Sequence, residues 1–181
     1  MSRDRQFIEN LCSVFASRKV MACLETSEAA NFQVCDDKQR VYIADGEQSK
    51  PGFRIYNPRT KRVHIFATDN CFFHERDGKR CDCIAFDDTC LCFVELKLDV
   101  EARRQATDKA DDARKQLGAT ITFFKNALNH NFMGLKLEAY LVMRDNVRPA
   151  RSAQRAAVFV NFLETYGVPL VELSDKEHKE F

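Results

Sequence analysis

The sequence predicts an α/β domain: a central mixed β-sheet flanked by helices on both sides. Two observations carry this. The pattern of apolar residues changes period along the chain, from helical to strand-like and back, in the order helix, several strands, long helix, strand, helix, strand. The chain has 181 residues, 45% of them hydrophobic, and shows no repeat, low-complexity tract or linker. That supports a single domain over residues 1–181 with one core.

The elements follow in order. Residues 4–18 place Phe7, Leu11, Val14 and Phe15 at helical spacing. A second helical stretch is expected around 21–30. Three strand signals come next: RVYIAD at 40–45, GFRIYN at 52–57 and RVHIFA at 62–67. Pro58-Arg59-Thr60-Lys61 between the last two reads as a hairpin turn. The segment RCDCIAFDDTCLCFVELKLD at 80–99 reads as two apolar strands split at Asp87-Asp88-Thr89. A long helix is expected over 101–129, with Ala102, Ala106, Ala110, Ala113, Leu117, Ile121, Phe124 and Leu128 on its period. A strand at 136–143 follows Gly134. Ser152 is placed to cap a helix reaching Tyr166, which Gly167-Val168-Pro169 ends. PLVEL closes the fold as a short strand.

Composition bounds the function. The net charge is +1 although 30% of residues are charged, so any basic surface must be local. No apolar run approaches the roughly 18 residues of a membrane span, and the first residues are charged and amphipathic, unlike a secretory signal. Eight cysteines in such a chain predict free thiols and a cytoplasmic location.

The chemistry concentrates in residues 80–99. Asp82 falls on the first strand of that pair. Glu95 and Lys97 fall on the second, two apart, so a strand puts both on one face. Among Val, Leu and Phe neighbours, such charges are costly unless paired or liganded. If the turn uses Asp87 and Asp88, Asp82 pairs near Phe93 and Glu95 lies near Arg80, which sets the two carboxylates diagonally on one face. Two converging carboxylates beside a lysine suit a hard divalent cation and a phosphate oxygen. The plain alternative is a solvated Glu95–Lys97 pair on a charged strand end.

Asp82, twelve intervening residues, then Glu95-Leu96-Lys97 on an apolar strand resembles the PD-(D/E)XK nuclease superfamily, which includes restriction endonucleases and Holliday junction resolvases. The resemblance spans roughly residues 1–143. It implies a restriction endonuclease-like core of helix, three strands, helix and strand. It further implies that Asp82, Glu95 and the Leu96 carbonyl hold Mg²⁺ or Mn²⁺ and that Lys97 assists catalysis. Gln116, flanking the apolar stripe of the long helix, would orient Lys97 or the water. Cys81 stands where a proline often precedes the aspartate. The additional acidic residue of the family's first helix has no clear counterpart among Glu9, Glu25 and Glu28. The implied function is metal-dependent hydrolysis of phosphodiester bonds in nucleic acid, DNA before RNA. A homodimer would suit a symmetric duplex or junction. The competing reading is a non-catalytic nucleic-acid-binding or protein-interaction module on the same fold.

The remaining motifs are weaker. Cys81-x-Cys83 and Cys90-x-Cys92 lie opposite the carboxylate face in strand geometry, and they read as apolar packing beneath the long helix rather than as zinc knuckles. An iron–sulfur cluster on C-terminal cysteines is excluded, since none follows Cys92. His64 is expected on an exposed face, and His74-Glu75-Arg76 in a solvated loop. Three basic groups are candidates for phosphate contacts: Arg59, Lys61 and Arg62; Arg76, Lys79 and Arg80; and Arg144, Arg148, Arg151 and Arg155.

Overall fold

The computed structural model describes residues 1–37, 40–45, 50–148 and 153–181. Ser152 and Arg151, singled out above, lie outside them. Helix α1 is Arg3–Val14, followed by a 3₁₀ turn at Val20–Cys23. The strands are β1 Leu24–Ser27, β2 Asn31–Asp36, β3 Val41–Asp45, β4 Phe53–Tyr56, β5 Val63–Ala67, β6 Cys83–Phe86 and β7 Cys90–Lys97. Helix α2, Arg103–Ala127, leads to β8, Lys136–Met143. Helix α3, Ala153–Tyr166, leads to β9, Leu170–Ser174, and β10, His178–Glu180.

Two sheets form. Six strands run in the order β1-β5-β6-β7-β8-β9, antiparallel through β7 and parallel from β7 to β9. Four more run in the order β10-β4-β2-β3. The parallel pairs force crossovers, and α2 and α3 supply them. Both crossovers step the same way across the sheet, which puts α2 and α3 on one face and in contact. At Gly118 the approach is so close that a Cβ would collide with the Tyr166 ring. Phe7 of α1 packs edge-on to Phe86 with centroids 5.1 Å apart, and Phe93 meets Phe124 of α2 at 6.4 Å.

The second sheet covers the other face. Phe53 of β4 lies 5.5 Å from the Tyr140 ring, and Lys179 of β10 reaches Glu138 at 2.9 Å. Helices on both sides were expected; among the described residues they occupy one side only. The sequence pattern hid this because β7 and β8 are apolar on both faces whichever layer covers them.

Other expectations change with the pairing. Residues 21–30 form a short 3₁₀ turn and then β1, not a helix, because cross-strand pairing with β5 overrides local propensity. β4 and β5 belong to different sheets, so the Pro58–Lys61 turn is a crossover between layers, not a hairpin. Asn57 organises that turn: it accepts from Lys61 N at 3.0 Å and donates to the Lys61 carbonyl at 2.8 Å. Strands β2 and β10 were not anticipated. His64 is buried at 5% exposure, between Thr26 Oγ1 at 2.9 Å and Asp4 Oδ2 at 3.1 Å, rather than facing water. Among the described residues, no helix is long and apolar enough to cross a membrane.

Cys83, Cys90 and Cys92 lie on the face opposite Glu95, as expected, but not beneath the long helix, whereas Cys81 sits against Thr120 of α2. Cys90 and Cys92 face the inter-sheet layer with Glu138, which is Cys92's partner on β8. Two of the eight cysteines are not free: Cys23 and Cys71 form a disulfide. Glu138 is the polar centre of the layer, bound by Lys136 at 2.7 Å, Lys179 at 2.9 Å and the Tyr140 hydroxyl at 2.8 Å. Although burial works against its charge, these partners hold it down at about 2. Its stabilising contribution is therefore present above the usual 4.5 and is lost as the pH falls through about 2. Glu138→Gln is expected to cost ~3 kcal/mol at pH 7 by leaving Lys179 unpaired. Thermal unfolding across pH should show the gap to wild type narrowing below pH 4.5; a constant gap would contradict the ion-pair account.

Candidate metal centre at the end of the β6–β7 ladder

The β6–β7 hairpin turns at Asp88-Thr89, not at Asp87-Asp88. Asp87 N donates to the Cys90 carbonyl at 3.1 Å, and Asp87 Oδ1 accepts from the amides of Thr89 and Cys90 at 2.8 and 2.9 Å. This capped turn sets the register: Phe86 pairs with Leu91, Ile84 with Phe93 and Cys83 with Val94. One further step places Asp82 opposite Glu95, rather than diagonal to it. The expected pairing near Phe93 is displaced because the turn begins one residue later.

Asp82 stands just before β6, where the ladder ends. Its Oδ2 accepts the Leu96 amide at 2.6 Å, in the place of a backbone carbonyl. The amide and carbonyl of one strand residue project to the same edge, so the Leu96 carbonyl lies on the β6 edge of β7. The Asp82 carbonyl accepts from the amides of Thr68 and Asp69 at 3.0 and 3.3 Å. One residue earlier, Cys81 N donates to Thr120 Oγ1 at 2.8 Å, and Thr120 in turn donates to the Gln116 carbonyl at 2.9 Å. The backbone entering the site is thus tied to both β5 and α2.

Glu95 is 1% exposed. Its Oε1 lies 2.5 Å from Lys97 Nζ, an ion pair outside hydrogen-bond angles, and its Oε2 has no partner. The Lys97 side chain is 17% exposed, so its stem is covered while the pair keeps an opening to solvent. Gln116 is half-buried, and its side chain makes no hydrogen bond to Asp82, Glu95 or Lys97; Glu95, not Gln116, orients Lys97.

A cavity of about 250 Å³ opens beside these residues, lined by Asp36, Arg40, Val41, Asp69, Asn70 and Asp82. Asp36, Asp69 and Thr120 were not singled out from the sequence. Asp36 ends the unforeseen β2. Asp69-Asn70 follows β5 as a turn signal, which marks a change of direction but not a site. The three glutamates considered for an additional acid are engaged elsewhere. Glu9 pairs with Arg5, Glu28 with Arg62, and Glu25 with Arg40 and the Ile43 amide.

The electrostatics follow from crowding. Burial pushes Asp82 up to about 7, with Asp36 and Asp69 acting in the same direction against the Leu96 amide and Lys97. Burial first and Asp82 second raise Glu95 well above the carboxylate range. Burial opposes charge on Lys97, yet Glu95 and Asp82 hold it above the ordinary lysine value. Asp69 is raised by burial and by Asp36. Acidic groups outnumber the Lys97 ammonium and the Arg40 guanidinium beside them. A divalent cation would relieve this crowding, and the donors are all oxygens, the type that hard cations take.

A second donor set is of different character. Ligand atoms of Cys90, Cys92 and Glu138 lie within 4.8 Å of one another. Both Glu138 oxygens already serve Lys136, Lys179 and Tyr140, so the cluster is accounted for as inter-sheet packing.

The basic groups are largely committed to ion pairs or rings. Arg148 pairs with Glu177, Arg155 and Arg114 with Glu172, and Lys61 with Asp87 at 2.9 Å. Arg80 lies over Phe73 at 5.1 Å. Arg59, Arg76 and Lys79 are exposed.

Comparison of the chain with protein-family models, curated proteins and solved structures finds no match in any of the three.

Repulsion at the site predicts a pH-dependent cost. Because folding raises Asp82 from 3.8 to about 7, the associated stability is full at low pH and is lost as the pH rises through 7. Asp82→Asn keeps an oxygen acceptor for Leu96 and removes the charge. In the presence of a chelator it should be more stable than wild type at pH 8 by ~2 kcal/mol. The difference should shrink toward pH 4.5, as read by denaturant melts at both pH values. A variant less stable at pH 8 would show that the Asp82 charge is not under strain.

Proposed function

We propose that the protein is a metal-dependent phosphodiesterase acting on nucleic acid, with DNA the favoured substrate. The observation that carries this reading is the buried Glu95 carboxylate. One of its oxygens is open, Asp82 stands opposite and Lys97 lies beside it. A structural salt bridge would use both oxygens, since an unsatisfied buried carboxylate oxygen is costly. The order α1, the β5-β6-β7 meander, α2 and β8 supports a restriction endonuclease-like core, and so does the Asp82…Glu95-Leu96-Lys97 motif.

In this reading Asp82, Glu95 and the Leu96 carbonyl would hold Mg²⁺ or Mn²⁺. Such a cation supplies Lewis acidity and a more acidic bound water. The protein's own groups do the rest. The Leu96 amide fixes the Asp82 carboxylate so that it need not reorganise when substrate arrives. The Glu95–Lys97 pair aims the ammonium along the same strand face, where it meets negative charge developing on phosphoryl oxygens. Thr120 holds the backbone at Cys81 and so keeps Asp82 in place. The Gln116 side chain is free of these residues and available to substrate or water.

Lys97→Met preserves much of the stem and removes the charge. With Mg²⁺ and a panel of labelled single-stranded, duplex and branched DNA, cleavage should fall about 10²–10³-fold, with the fold intact by circular dichroism. Activity within about threefold of wild type would remove Lys97 from the reaction. Absence of metal-dependent cleavage of every form, and of RNA, by wild type would overturn the function.

A further inference from the structure

We propose that the outer face of the four-stranded sheet binds a nucleotide, with its phosphate on Arg54 and its base against Tyr56 and His178. The site is separate from the candidate metal centre and does not depend on it.

Strand alternation builds the site. Phe32 and Val34 of β2, Phe53 and Ile55 of β4 and Lys179 of β10 point inward, toward the six-stranded sheet. Their neighbours along each strand therefore point outward. The register aligns these in two rows: Gln33, Arg54 and His178 in one, Asn31, Tyr56 and Glu180 in the other. Over the rows lies a cavity of about 580 Å³, lined by Asn31, Gln33, Arg54, Tyr56, His178 and Lys176. A space of this size takes a ligand of nucleotide dimensions.

The fold leaves the cation of this cavity unused. Arg54 is half-buried, and its side chain makes no hydrogen bond or ion pair among the described residues; its Nε is buried without a partner. By contrast, Arg18, Arg114, Arg148 and Arg155 are all held by carboxylates. Glu180 stands diagonal to Arg54 in the register and does not pair with it. A half-buried guanidinium without an acceptor is costly, and its planar fork fits a pair of phosphate oxygens. Lys176 adds a second cation at the rim. Its pair with Asp145 at 3.2 Å is exposed and therefore weak.

The rings beside the guanidinium indicate what the anion carries. Tyr56 is 38% exposed, and its ring lies 5.5 Å from that of His178 at 71°. In such an edge-on pair one ring keeps both faces free of the other, and a base stacks on such a face. Gln33 donates to the Lys50 carbonyl at 3.2 Å and closes the floor. Asn31 is exposed, and its amide offers both a donor and an acceptor to a base edge. A phosphate for the guanidinium and a flat ring for the aromatics meet in a nucleotide, free or within a single strand.

The test is binding in the presence of a chelator, so that the metal centre takes no part. The probes are thymidine monophosphate and inorganic phosphate by calorimetry, and a labelled oligothymidylate by fluorescence anisotropy. Wild type should bind the mononucleotide about fivefold or more tightly than inorganic phosphate. Arg54→Gln should weaken the mononucleotide about tenfold or more. On the oligothymidylate it should also lower the slope of log affinity against log salt by about 0.7. Tyr56→Ala should weaken binding about fivefold or more, whereas Tyr56→Phe keeps the ring and should bind as wild type does. Circular dichroism should show each variant folded. Arg54→Gln binding as wild type does, with an unchanged salt slope, would overturn the site. If Arg54→Gln does not fold, the Tyr56 pair decides: equal binding by Tyr56→Ala and Tyr56→Phe overturns the site. Equal affinity for phosphate and mononucleotide would leave an anion site and overturn the nucleotide. Binding of the mononucleotide alone would support a free nucleotide as the ligand, and binding of both it and the oligothymidylate would support a single strand. Wild type that binds neither would overturn the proposal.

Discussion

The hydrogen bond from the Leu96 amide to the Asp82 carboxylate is the contact on which the site depends. A β-ladder normally ends by leaving backbone groups to water or to a cap. Here it ends on a side chain, so the last acceptor of the pairing is also an ionisable group. That substitution holds Asp82 opposite Glu95 at the β6 edge of β7. It also leaves Lys97 one step beyond, on the face of Glu95. Asp82 can hold this place because its own backbone is fixed twice, by the β5 end through Thr68 and Asp69 and by α2 through Thr120 and Cys81.

Burial gives this arrangement its chemical character. The hydrophobic layer of Phe86, Phe93 and Phe124 excludes water from the strands below the site. The same exclusion raises the energy of every carboxylate above it. A protein selected only for stability would replace Glu95 and Asp82 with apolar residues of similar volume. Standing beside the strand lysine, Asp82 pushes Glu95 further from its charged form. Stability given up locally in this way is common at sites that bind charge.

The two layers divide the work. The helical face of the six-stranded sheet supplies the core, and its aromatic residues from α1, α2 and the turn after β5 interlock around Phe72 and Phe124. The four-stranded sheet closes the opposite face through Phe53, Lys179 and Glu138. It also brings Asp36, at the end of β2, to the cavity. The second sheet is thus both a cover for the inter-sheet cysteines and one wall of the site.

The motif Asp82…Glu95-Leu96-Lys97 was legible in the sequence because strand periodicity alone puts Glu95 and Lys97 on one face. The apolar strands around them mark the charges as exceptional. Helix α2 and strand β8 were legible for the same reason, each carrying a long unbroken period. What the sequence by itself determined is therefore the local pattern: which segments are helix or strand, and which charged residues stand among apolar neighbours. Tertiary structure alone decided the register, since one residue of turn chemistry at Asp87 shifts every cross-strand partner. It also decided the layering, because a strand apolar on both faces does not say what covers it. Asp69 and Asp36 reach the site across more than ten residues of sequence from Asp82. Only a folded chain, with its hydrogen bonds to the Asp82 carbonyl and its packed second sheet, brings carboxylates so distant in sequence to the walls of one cavity.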